Sequence, residues 1–99
     1  MNEDFEYDPA KSAANRDKHG IDFVQAQVLW DGTGAVKPVP HVGEKRLMRV
    51  GRIGLKVWAA VFTMRDGRVR LISVRRARHE EEVEHGRETG TGRQYDHES

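Results

Sequence analysis

The strongest strand pattern in the chain is LKVWAAVFTM, residues 55–64. In an extended chain Leu55, Val57, Ala59 and Val61 share one face, and Trp58, Ala60, Phe62 and Met64 the other. Apolar residues on both faces predict a strand in the middle of a sheet. Arg65-Asp66-Gly67 predicts a tight hairpin connection, and RVRLISVR returns as the antiparallel partner. Unbroken alternation there puts Val69, Leu71, Ser73 and Arg75 on one face and Arg70, Ile72, Val74 and Arg76 on the other. EKRLMRVG predicts a further strand before the turn at RIG. AVKPV is a shorter one, confined to an edge by Pro38 and Pro40, and FEYD near the start is a brief edge strand.

The pattern changes period elsewhere. Asp8 and Pro9 read as the N-cap and first position of a helix that ends at Gly20. Ala10, Ala13 and Ala14 give it a thin apolar stripe, with Asp17 near one edge. A second short helix follows in IDFVQAQVLW, capped by Asp22, with Phe23, Ala26 and Trp30 at helical spacing. Gly32 and Gly34 then break the chain. A last helix is predicted over residues 77–85, and GRETGTGRQYDHES, residues 86–99, reads as a disordered tail. The expectation is an α+β fold in one domain over residues 1–85: a small antiparallel sheet of three or four strands, two N-terminal helices and a short C-terminal helix. The helices are expected on one face, leaving the other partly open and basic.

A length of 99 residues fits that single domain. Cysteine is absent, which excludes disulfides, thiol nucleophiles and cysteine metal sites. No secretory signal is visible and no apolar run is long enough to span a bilayer, so a cytoplasmic protein without membrane partners is expected. The net charge of +1 hides a strong segregation. Residues 1–31 carry three basic and seven acidic side chains, a net of −4. Residues 45–79 carry eleven basic side chains against Asp66 alone, a net of +10, and residues 80–99 return to −5. A basic sheet between acidic ends points to a polyanion surface, a face for an acidic protein, or both.

RVRLISVRRARHEEEVEH, residues 68–85, concentrates the candidate chemistry at the join of a strand and a helix. Its first part, together with FEYDPAKSAANRDKHGIDF and EKRLMRVGRIGLKVWAAVFT, resembles the BrnT-type ribonuclease toxins of bacterial type II toxin–antitoxin pairs. The resemblance runs over roughly residues 5–85. It implies a RelE-like fold and an endoribonuclease acting on mRNA, on or with the ribosome. It also implies a ribbon-helix-helix antitoxin that neutralises the toxin, the two together binding operator DNA.

The family's Lys-His-Gly after the first helix matches Lys18, His19 and Gly20. Its arginines after the Ile-Ser step match Arg75 and Arg76, and its helical glutamate matches Glu81. His85 stands where the family often has tyrosine, so it can stack or donate, but a role resting on a phenol does not carry over.

RNA can be cut without metal or cofactor when the 2′-hydroxyl attacks the adjacent phosphorus. That reaction needs a base, an acid and cations around the phosphorane. The expected catalytic residues are His19 as acid or base, Arg75 as phosphate grip, and Glu81 as base or as a group orienting an arginine. Lys18, Arg49, Arg52, Arg76 and His85 are expected to bind RNA. Arg75 and Arg76 alternate faces if the strand is regular, so only one shares a surface with Arg49 or Arg52, and a bulge at the strand end would move Arg75. No metal site is expected, because the five histidines are scattered without ligand spacing. The other reading is a non-enzymatic basic module that acts with an antitoxin-like partner in operator DNA binding.

Overall fold

A computed structural model describes residues 4–32 and 34–89. Five strands form one sheet: β1 (Phe5–Glu6), β2 (Ala35–Val39), β3 (Arg46–Ile53), β4 (Lys56–Arg65) and β5 (Arg68–Arg76). Their spatial order is β1-β5-β4-β3-β2. All neighbours are antiparallel except β1, which runs parallel to β5. The helices are α1 (Pro9–His19), α2 (Phe23–Ala26), which passes into a 3-10 turn over Gln27–Trp30, and α3 (His79–Thr89). The fold is α+β, with one strand more than alternation alone suggested. The last helix runs to Thr89 rather than ending at residue 85, and residues 90–99 of the expected tail lie outside the described residues.

Local chemistry accounts for the element boundaries. Asp8 accepts a hydrogen bond from Ala10 N–H at 2.9 Å, Pro9 begins α1, and Gly20 closes it at a φ of 85°. Asp22 and Gln25 exchange side-chain bonds with each other's backbone N–H groups, a complete capping box at α2. Asp66 and Gly67 both have positive φ, the backbone of a two-residue hairpin whose twist matches its strands.

Both faces carry a core: α3 covers part of the second, where no helix was expected, and leaves Arg65 and Arg68 exposed on the rest of it. On the first, Trp58, Ala60, Phe62, Val69, Leu71 and Val74 pack against Ile21, Phe23, Ala26 and Leu29. On the second, Met48, Val50, Val57 and Ala59 form a smaller cluster beneath Ala77. The start of α3 is tied to that second face through Arg75–Glu81 and Lys37–Glu84 contacts. Two apolar faces on β4 require two covers, and the charged α3 supplies the second.

One irregularity decides the rest. The pairing of β4 with β5 shifts between Val61 and Phe62, which face Ser73 and Leu71, so β5 holds one residue more than its partner there. Val74 and Arg76 therefore lie across from Ala60 and Trp58, on the face of Val69 and Leu71, and Arg75 lies across from Ala59 on the other. Unbroken alternation assigned these residues the opposite way.

The contact between α1 and the sheet is also unexpected. Ala10, Ala13 and Ala14 are exposed, and the buried side chains of α1 are Ser12 and Asn15. Asn15 Nδ2 donates to Ile21 O at 2.8 Å and to Val74 O at 2.9 Å, and Val74 N–H donates to Asn15 Oδ1 at 3.1 Å. Strand β1 covers β5 only at Val69 and Arg70. Farther along that edge the Asn15 amide supplies the donor and acceptor that a longer neighbouring strand would offer. Ser12 Oγ accepts from Phe23 N–H at 2.9 Å and joins α1 to α2.

Candidate functional site at the strand end

The register gives the sheet two distinct ends. One holds β1, the β4–β5 hairpin, and the starts of β3 and β5. The other holds the β3–β4 hairpin, the end of β5 and the start of α3. Helix α1 follows β1 and is bonded to the edge of β5 at Val74 through Asn15, and Lys18 and His19 lie in the turn that follows. Lys18 is exposed and His19 half-buried.

Arg75 and Glu81 meet on the face covered by α3. Arg75 Nη1 donates to Glu81 Oε1 and Nη2 to Oε2, both at 2.9 Å, a two-pronged pair. Nη1 also donates to Arg76 O at 3.1 Å, and Nη2 lies 3.7 Å from the Met48 sulfur. Glu81 Oε1 further accepts the Arg78 backbone N–H at 2.7 Å, which satisfies the residue just before α3. The hydrogen bonds from Arg75 hold the Glu81 carboxyl below its ordinary range, against the effect of burial, and the same pairing raises Arg75. A carboxylate held ionised with its oxygens occupied orients an arginine. It is poorly disposed to take a proton.

Arg76 faces the opposite way. It is exposed, with its guanidinium carbon 5.7 Å from the centroid of Trp58. Trp58 is 8% exposed and serves the core rather than as a stacking platform. Arg76 thus lies on the face of Trp58 and the larger core, at the same end of the sheet as Arg75 and Glu81 on the other face. Of the expected group, Arg75 and Glu81 are in direct contact.

The remaining expected RNA-binding residues separate into two kinds. Arg52 is exposed at the end of β3. Arg49 instead holds the 3-10 turn: its Nε donates to Leu29 O at 2.8 Å, its Nη2 to Gly32 O at 2.9 Å, and its guanidinium lies over Trp30. His85 is 4% exposed and is buried in the seat of α3, not presented to solvent.

Sequence reasoning passed over three residues that matter here. Glu6 lies within 4.0 Å of each of three arginines, Arg65, Arg68 and Arg70. Asn15 anchors α1. Its signal was the polar pair Ser12 and Asn15 at helical spacing among alanines. His79 opens α3 as an exposed side chain two residues before Glu81. Among the described residues no three His, Cys, Asp or Glu side chains gather closely enough to hold a metal ion, and no helix is long and apolar enough to cross a membrane.

An exposed cluster of cations such as Arg52, Lys56, Arg76 and Arg78 is a feature of proteins that handle polyanions. Comparison with known families makes this specific. Residues 7–81 match the model of BrnT, described as the ribonuclease toxin of a type II toxin–antitoxin system. The chain belongs to this family, whose substrate class is RNA and whose partner is an antitoxin. No curated protein matches the chain.

Proposed function

We propose that the protein is an endoribonuclease that cuts mRNA by attack of the 2′-hydroxyl on the adjacent phosphorus, at the strand end bearing Arg76 and His19. The observation that supports this best is Arg76, exposed at the end of β5 two residues beyond Val74, where Asn15 holds the helix whose last turn carries His19. In the reaction the 2′-hydroxyl loses its proton to a base, the new P–O2′ bond forms, and the P–O5′ bond breaks. The departing 5′-oxygen gains a proton from an acid. The products are a 2′,3′-cyclic phosphate, or the 3′-phosphate formed from it by hydrolysis, and a 5′-hydroxyl. His19 is the proton carrier, and Arg76 with Lys18 meets the charge that builds on the phosphorane oxygens. Arg75 acts as a positioning residue: with Glu81 it fixes the end of β5, and so the direction of Arg76. The route uses no metal ion or cofactor.

The proposed partner is a ribbon-helix-helix antitoxin that neutralises the toxin and carries it to operator DNA. The proposed setting is the cytoplasm, on or with the ribosome. The test is purified protein incubated with mRNA in the presence of a metal chelator. Cleavage is expected to persist with the chelator and to fall about 100-fold or more in His19→Ala, with antitoxin binding retained. If no preparation cuts RNA while the antitoxin still binds, the protein is instead a basic module acting only within the repressor complex.

A further inference from the structure

The β3–β4 hairpin carries a feature the proposed reaction does not use. Ile53 pairs with Lys56, so Gly54 and Leu55 alone make the turn, with Gly54 at a φ of 63°. Leu55 is 95% exposed at the tip. Arg52 and Lys56 flank it, and Arg76 and Arg78 lie beside it, because Trp58 pairs with Arg76 and Ala77 N–H donates to Val57 O at 2.9 Å. All four cations are exposed, and among the described residues none of them forms a side-chain ion pair. Register puts Lys56 and Arg76 on the face covered by α2 and the 3-10 turn, and Arg52 with Arg75 on the face of α3. Lys56 and Arg76 are diagonal neighbours on adjacent strands, about 7–8 Å apart, and Arg52 lies across the hairpin tip from them.

We infer that this hairpin tip is the track on which single-stranded RNA crosses the end of the sheet. Arg52, Lys56 and Arg78 hold successive phosphates, and Leu55 packs against an unstacked base. The inference rests on the ribonuclease reading and extends it to the substrate's form and path. A duplex offers the same phosphates but hides its base faces, so Leu55 gains nothing from it. An acidic protein segment would also answer the charge. RNA fits better because the row of cations leads directly to Arg76, and because an isolated aliphatic tip suits one flat base better than a protein surface.

The test uses the full chain and a fluorescein-labelled 2′-O-methyl RNA oligonucleotide, which lacks the attacking hydroxyl, read by anisotropy over a range of salt. Each phosphate contact removed from a single strand lowers the slope of log affinity against log salt by about 0.7. Arg52→Gln with Lys56→Gln is expected to lower it by about 1.4, and addition of Arg78→Gln by about 2. Leu55→Ser should weaken binding several-fold at unchanged slope and reduce the preference for single strand over duplex. Arg65→Gln with Arg68→Gln, at the opposite end, should leave slope and affinity as they are.

The single variants are read separately if the triple variant does not retain the wild-type thermal midpoint. Wild-type binding with undiminished affinity and slope in the tip variants overturns the track and leaves the ribonuclease reading standing. Tip variants that keep RNA but lose the antitoxin assign the tip to the protein partner instead. Failure of the wild type itself to bind overturns the RNA reading together with the track.

Discussion

The two ends of the sheet hold similar numbers of cations in opposite electrostatic settings. Where β1 joins the sheet, Arg65, Arg68 and Arg70 surround Glu6 at 3.4–4.0 Å. At the other end Arg52, Lys56, Arg76 and Arg78 have no such carboxylate among the described residues. Glu81, whose charge also acts on Arg78, is already bound by both Nη groups of Arg75. A run of +10 in sequence thus becomes one end paired with a carboxylate and one end without such pairs among the described residues. Charge that is internally compensated contributes little to polyanion binding, whereas unpaired charge releases counterions from a phosphate chain when it binds. The acidic N-terminal segment acts as a mask over part of the basic sheet, not as a general counterweight.

The comparison breaks most sharply at the arginines. Arg76→Ala is expected to lower the cleavage rate by about 100- to 1000-fold, as loss of a cation at a phosphorane does, while Arg65→Ala leaves the rate nearly unchanged. Equal losses in the two variants would mean that the ends are not functionally distinct. Next in size is the Asn15 amide that anchors α1 to β5. Asn15→Ala leaves Val74 N–H and two carbonyls without their buried partner and should cost about 2–3 kcal/mol, read from chemical denaturation. A loss below about 0.5 kcal/mol would show that α1 is held by other contacts.

Acid titration sharpens the contrast through Glu81. Its folded carboxyl lies below the ordinary value of 4.5, so its contribution to stability is fully present above that pH and is lost as pH falls through the lowered folded value. Thermal midpoints measured from about pH 6 to about pH 3 should fall more steeply in the wild type than in Glu81→Gln. Parallel curves would remove Glu81 as the acid-sensitive clasp of α3.

The smallest effect lies at the masked end. Glu6→Gln unmasks three arginines and should raise RNA affinity a few-fold, with a steeper salt dependence. Stability should change by less than about 1 kcal/mol, since exposed ion pairs contribute little. An unchanged salt slope would show that the masked end never reaches the RNA.

Much of this protein was legible in its residues. The Asp8-Pro9 and Gly20 boundaries of α1, the Asp22 cap, the Asp66-Gly67 hairpin and the central strand from Lys56 to Arg65 follow from local rules. Caps, turns and alternation act over a few residues and need no distant partner. The family was legible as well, because its segments recur in order along residues 7–81. The tertiary structure decided what depends on long-range pairing. Ile72 and Ser73 give no local sign of a bulge; it exists because β5 must keep Val69, Leu71 and Val74 on one core. That single extra residue moves Arg76 to the face of the larger core and Arg75 to Glu81. The alanines of α1 offered an apolar stripe, but β5 needed a hydrogen-bonding partner along its open edge, and Asn15 met that need. Sequence determined which residues carry charge. Strand register determined which of those charges are paired and which are left to meet a ligand, because register brings together side chains dozens of positions apart.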